Sequence, residues 1–274
     1  HTDNRRQRQM CIRDSKDRDR DSFRLTTKCA LGSLPDEEVY DRFNTSLIRS
    51  LDTMGTDYVD LFLLHSQLVE NDHESQKPDS SFVAKGNLTN LKSFYDAVVP
   101  AMESLKKEGK ILTWGIGPGQ EEAVCDVVNS KTPPDAVQCG VNLLNSLGAI
   151  GYASIKPNPK MVLEECQKKD IPILAIRAVQ AGALTSQMDR EPHPSGFDHP
   201  DFADYQKAEP FRDLAKDWGE SPASLAHRYA LSIDKVGSVI LGIKNREELI
   251  ECLDAEKKGR LDAEQILTLE NLFN

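Results

Sequence analysis

Thr56-Asp57-Tyr58-Val59-Asp60-Leu61-Phe62-Leu63-Leu64-His65 is the stretch that decides the fold. A short apolar run after a Gly-containing turn, with few polar residues inside it, reads as a buried parallel strand. Its end is unusual, because an apolar strand is expected to stop at a solvated turn residue and this one stops at His65. Upstream, Phe23-Arg24-Leu25-Thr26-Thr27-Lys28 repeats the design and closes on Lys28. Barrel enzymes gather their chemistry at the C-terminal ends of strands. Lys28 and His65 on neighbouring strands therefore suggest a proton-handling site. Either residue alone fits equally well a strand end that carries its polar tip to water.

Working outward, strands and helices alternate. Pro35 with Asp36-Glu37-Glu38, preceded by Ser33, marks a helix start, and Val39, Phe43, Leu47 and Leu51 give one apolar stripe. A polar connection from Ser66 to Ser93, with Pro78 and Gly86, follows the His65 strand. Connections of that length are often functional lids. Further strands are expected at Lys110–Ile116, Asp135–Val141, Ile171–Ile176 and Val236–Leu241, with a Pro-rich loop from Asp189 to Asp204. A helix opens at Ser221-Pro222, Asn245 caps the next, and a final helix runs from Asp262 to Phe273. Strands marked by Leu25, Val59, Ile111, Val137, Ile173 and Val239 separated by helices imply an α/β fold with a parallel sheet of βαβ units. A closed barrel of this kind needs eight strands. Either the sheet is open and doubly wound, or two strands are missing from the front.

Composition narrows the function. The chain has 274 residues, enough for one large domain, and a net charge of −10, which disfavours nucleic acid and anionic membrane as main partners. Six cysteines without a CxxC pair argue against a zinc ribbon or a disulfide framework and for a reducing compartment. No apolar run approaches the roughly 20 residues of a membrane span, and no signal-peptide core stands near the start. A cytoplasmic location is the default expectation. Residues 1–21 hold seven Lys/Arg and five Asp, with Met10 and Ile12 their only large aliphatics. They are expected to be disordered and non-native, leaving residues 22–274 as the folded domain. His193 and His199 have metal-like spacing, but their Pro-rich setting reads as a solvated loop, and no metal site is expected.

The order Thr26-Thr27-Lys28, Asp57 to His65, Glu108-Gly109-Lys110-Ile111, Gln138 with Asn142-Leu143-Leu144-Asn145, and Gly182-Ala183-Leu184-Thr185 resembles the aldo-keto reductases. Ser221-Pro222-Ala223-Ser224-Leu225-Ala226 and Gly242-Ile243-Lys244-Asn245 extend the resemblance, which covers roughly Arg24 to Leu253. It implies an incomplete (β/α)8 TIM-type barrel, about six of its eight strands present, in an N-terminally truncated member. It also implies NAD(P)(H)-dependent interconversion of an aldehyde or ketone with an alcohol, on small-molecule substrates. Lys28 and His65 match the family's catalytic Lys and His. Its catalytic Asp and Tyr belong to the missing region, and no tyrosine precedes Tyr40.

By the same resemblance, Gln138 holds the nicotinamide amide, Arg177 and Gly182 lie in the pyrophosphate region, and Gly242, Lys244 and Asn245 form the adenosine phosphate site. A helix N-terminus suits an anion, although Asn245 with Glu248 equally fits a capping box. The usual Ser-Asn pair is replaced by Gly117-Pro118, and an adenine-facing Asn by Cys252. Glu248 would repel a 2′-phosphate while Lys244 and Arg246 would attract one, so NADP and NAD both stay open. The Arg177 and Gly182 region is similar to sugar- and aldose-acting dehydrogenases of the family. Because the tyrosine acid is missing, a nucleotide-binding barrel without redox turnover is the alternative reading.

Overall fold

The computed structural model describes residues 19–32, 34–71, 87–151, 156–188, 191 and 198–273. Six parallel strands form the main sheet: β1 (Thr26–Cys29), β2 (Val59–Leu64), β5 (Ile111–Ile116), β6 (Ala136–Gly140), β7 (Ile173–Ile176) and β8 (Val236–Val239). They lie side by side in chain order. A doubly wound sheet would reverse its order at a switch point, so sequential order identifies part of a singly wound barrel. Six strands were expected and six are paired. Among the described residues β1 and β8 are the two sheet edges.

Helices cover the outer face: α1 (Val39–Met54), α2 (Val99–Lys107), α3 (Glu121–Val128), α4 (Pro159–Lys168), α5 (Pro200–Lys207), α6 (Glu209–Asp217), α7 (Pro222–Ser232), α8 (Arg246–Lys258) and α9 (Ala263–Glu270). The α1 stripe of Val39, Phe43, Leu47 and Leu51 is buried as its spacing requires. Phe43 meets Phe62 of β2 edge-to-face, with ring centroids 5.5 Å apart. Alternation sorts each strand. Phe62, Leu64, Trp114, Ile116, Val137, Cys139, Ile173 and Ala175 build the large core under the helices. Leu61, Leu63 and Ala136 pack together on the inner face with Leu174. That face is tight: a Cβ on Gly115 would stand 2.4 Å from the Ala136 carbonyl oxygen. Trp114 belongs to the outer core, its indole N–H donating to Glu103 at 2.6 Å.

Two connections differ from expectation. The long Ser66–Ser93 segment contains a parallel pair of three-residue strands, β3 (Gln67–Val69) and β4 (Leu88–Asn90). A helical turn begins at Leu91, capped by the Asn90 side chain, and passes through a π-helical turn (Phe94–Val98) into α2. Residues 72–86, with Pro78, lie outside the described residues. The Asp189–Asp204 loop ends early, because α5 starts at Pro200 with Nδ1 of His199 accepting the Asp201 amide proton. Proline in a helix's first turn loses no hydrogen bond, so this proline starts a helix where the sequence implied coil.

The segment expected to be disordered meets the structure at Asp19, Arg20 and Asp21; residues 1–18 lie outside the described residues. Arg20 lies over the Tyr58 ring and donates to Asp60 at 2.6 Å. Burial alone would raise the Asp60 carboxyl, but the Leu25 amide and the Arg20 guanidinium outweigh it and hold it below its ordinary value.

Candidate functional site

The register of the sheet puts the predicted catalytic pair together. Lys28 pairs with Leu63, and the His65 amide donates to the Cys29 carbonyl at 2.8 Å. Lys28 shares a face with Leu63, and alternation returns that face at His65. Both groups therefore stand at the C-terminal end of the inner face. Burial and the Lys28 charge lower the His65 pKa, so the imidazole is neutral at pH 7. Gln138 of β6, level with Leu174 of β7, is buried farther along the same end of the sheet.

A separate cleft of about 600 Å³ opens past β7 and β8. Its size is that of a small-molecule pocket. Seven of the predicted cofactor residues line it: Arg177, Gly182, Gly242, Lys244, Asn245, Glu248 and Cys252. Gln138 and Arg246 are not on its wall; Gln138 borders a void of about 10 Å³ beside Pro159, and Arg246 is exposed at the start of α8. The wall from Arg177 to Gly182 is strained. Arg177, Gln180 and Ala181 have φ of 60°, 43° and 54°, a left-handed backbone that costs a side-chain-bearing residue about 1–2 kcal/mol.

Two charged side chains of the cleft are already engaged within the chain. Arg177 is committed to a buried ion pair, its Nη1 3.0 Å from Asp201 Oδ1. At the start of α8 Asn245 caps the helix, while the Glu248 side chain reaches back one residue beyond the N-cap instead of closing a capping box. Asn245 Oδ1 accepts the Glu248 amide proton at 2.8 Å, and Glu248 Oε2 accepts the Lys244 amide proton at 2.8 Å. A carboxylate of the chain thus occupies the place where a phosphate at this helix start would sit.

His227, Ser221 and Glu251 also line the cleft, and the sequence reading gave none of them a place in the site. His227 follows Ala226 on the inward side of α7, a position that periodicity marks only as core. Its Nε2 lies 3.3 Å from the Cys252 sulfur, and its buried Nδ1 has no hydrogen-bond partner. Burial lowers the His227 pKa; burial with Glu251 and Glu248 raises that of Cys252, so the pair is neutral. Ser221 donates to Glu251 across the mouth. A buried unpaired ring nitrogen is suited to a polar ligand atom. Together with a cleft of this volume, it fits a nucleotide. Lys244 and the Gly242 turn would hold its phosphates, and His227, Glu251 and Cys252 its adenosine end.

Other candidates separate from this site. Cys29 and Cys139 are buried small side chains, and the five described cysteines are free thiols. Among the described residues no group of three or more His, Cys, Asp or Glu could hold a metal, and no helix is long and apolar enough to cross a membrane.

Comparison with known proteins agrees with this architecture. The solved aldo-keto reductase AKR11C1 from Bacillus halodurans, in its holo form, superposes with a TM-score of 0.69 at 19% identity, covering 96% of this chain and 76% of that one. The thermostable aldo-keto reductase Tm1743, solved with the inhibitor epalrestat, gives 0.63 at 18% identity and the same coverages. Among curated proteins, the uncharacterized oxidoreductase YqkF of Bacillus subtilis (strain 168) is 24% identical over 228 residues, 81% of this chain and 63% of its own length. The L-galactose dehydrogenase of Arabidopsis thaliana is 24% identical over 235 residues, 85% of this chain and 63% of its own length. The chain thus spans under two thirds of the length of these curated relatives. The family model described as the aldo/keto reductase family matches residues 4–273. With sequential parallel strands, a helix-covered sheet and a family match along nearly its whole length, this chain belongs to the aldo/keto reductase family.

Proposed function

We propose that the chain serves an oxidoreductase reaction, exchanging hydride between NAD(P)(H) and the carbonyl carbon of a small aldehyde or ketone. The observation that carries the reading is the cleft beyond β7 and β8, which gathers Arg177, Gly182, Gly242, Lys244, Asn245, Glu248 and Cys252. When bound, the nicotinamide supplies or accepts the hydride. The chain's own residues act at the oxygen, where the alkoxide left by hydride delivery takes a proton from the Lys28 ammonium, which water then restores. Neutral His65 presents a ring N–H to the carbonyl oxygen, and the Lys28 charge beside it favours the negative charge that develops there. Small sugars or aldoses are the proposed substrate class, which is supported by similarity to an L-galactose dehydrogenase. NADH oxidation over a panel of aldehydes and aldoses tests this. Turnover should fall about 100-fold in Lys28→Met and in His65→Leu, the scale of losing a preorganised group at the reacting oxygen. Equal rates in the wild type and both variants would refute these roles.

The cofactor we propose is NAD(H) in preference to NADP(H), because the Glu248 carboxylate covers the start of α8. Glu248→Gln should tighten NADPH by about tenfold and leave NADH little changed, the scale of one relieved like-charge contact. A NADPH affinity unaltered by that substitution would contradict the preference.

A second reading, nucleotide binding without turnover, is favoured by one observation. The five described tyrosines spend their hydroxyls elsewhere: Tyr40 on Glu108, Tyr58 on Asp21, Tyr95 on Asp126, Tyr205 on the Ser186 carbonyl and Tyr229 on Glu270. Saturable nucleotide binding with no oxidation across the panel would select it.

A further inference from the structure

We propose that Asp201 and Asp204, one turn apart on α5, are positioning residues that pin the strained turn Arg177–Gly182 as a wall of the nucleotide cleft. The inference rests on the nucleotide reading of that cleft and deepens it. Asp204 Oδ2 accepts from Gln180 Nε2 at 2.7 Å and from the Ser146 hydroxyl at 2.6 Å. Ser146 Oγ in turn accepts the Gly148 amide proton at 3.0 Å. Asp201 Oδ1 accepts from Arg177 Nη1 at 3.0 Å and from the Ala149 amide at 3.1 Å. Two carboxylates of one helix therefore tie together the loops that leave β6 and β7.

Gln180 is the peg of this latch. It is fully buried, while its neighbours Val179 and Ala181 line the cleft, so its side chain is the part of the turn that faces α5. A left-handed turn carrying three side-chain-bearing residues persists only where surrounding contacts over-determine it, and the α5 carboxylates supply those contacts. The fit is close. A Cβ on Gly148 would stand 2.0 Å from Asp201 Oδ1 and 2.6 Å from Gln180 Nε2. Release of the latch would let Arg177–Gly182 relax and misplace one wall of the cleft that holds the nucleotide. The relevant cost is then in nucleotide affinity, beyond any loss of fold stability.

The test is fluorescence titration of the full chain with NADH and with NADPH, alongside thermal melting. Asp204→Ala loses two hydrogen bonds at the peg and should weaken binding about tenfold. Asp204→Asn keeps an oxygen at the shared acceptor position and should stay within about twofold. Ser146→Ala, a milder cut in the same network, should weaken binding about threefold and decides the matter where Asp204→Ala does not fold. Phe43→Leu, in the remote α1 core, should lower the melting temperature and leave affinity unchanged. Wild-type affinity in folded Asp204→Ala or Ser146→Ala would overturn the inference. Losses that simply track melting temperature across all variants, Phe43→Leu included, would overturn it too. If the wild type binds neither nucleotide, the reading of the cleft fails first, and the latch falls with it.

Discussion

Two histidines carry the titration behaviour expected of this protein. Burial, helped at His65 by Lys28, lowers both His65 and His227 below their ordinary value. The unfolded chain protonates these two histidines near pH 6.5, and the folded chain protonates them only at lower pH. Between those values the unfolded state binds more protons, so stability rises with pH through that window. The contribution is complete above about pH 6.5 and is lost as pH falls toward the folded-state values. Melting curves from pH 7 to pH 5 should show a falling midpoint, and the double variant His65→Gln with His227→Gln a visibly shallower fall. An unchanged slope would show that these rings do not titrate as described. The meeting of Lys28 and His65 at one strand end was legible in the sequence, because each closes one of two successive apolar runs and successive strands of a parallel sheet pair. The Arg177–Asp201 pair was not, because nothing local links an arginine after β7 to an aspartate 24 residues away in a Pro-rich stretch.

Elements were read best where periodicity was long. The α1 stripe, the β2 run and the Asp262 cap of α9 stand where the residue pattern puts them, and α9 carries a full capping box with Gln265. Three-residue strands such as β3 and β4 are too short to show a period of two, and α5 was hidden by its own proline. That helix has an energetic signature that can be measured. Gly148, at φ 52°, lies under Asp201 and Gln180, so Gly148→Ala adds both a clash and backbone strain. It is expected to destabilise the fold by about 1–3 kcal/mol in urea. A loss below a few tenths of a kcal/mol would mean that α5 moves aside freely, contrary to a tight latch.

At the scale of the whole molecule, the sheet has two edges among the described residues, and the β8 side is apolar. Ile240, Leu241, Ile243, Leu249, Ile250 and Leu253 are each more than a third exposed around β8 and α8. Unpaired strand edges beside a patch of that kind favour association. Light scattering should show concentration-dependent association of the wild type that Ile250→Lys with Leu253→Glu suppresses; a monomer at every concentration would contradict this. Alternating strands and helices made a parallel sheet legible, but right-handed crossovers build open and closed sheets alike, so the barrel rested on the family resemblance until the chain-ordered strands removed the doubly wound alternative. The closeness of α5 to the cleft was not legible, because it depends on side chains meeting between one helix and two loops distant in sequence. The central claim is that residues after β7 and β8 form a nucleotide site. Calorimetric titration of the full chain with NADH and NADPH tests it most directly. Saturable one-to-one binding, tighter for NADH, is the expected result; absence of saturable binding by either nucleotide would contradict the account.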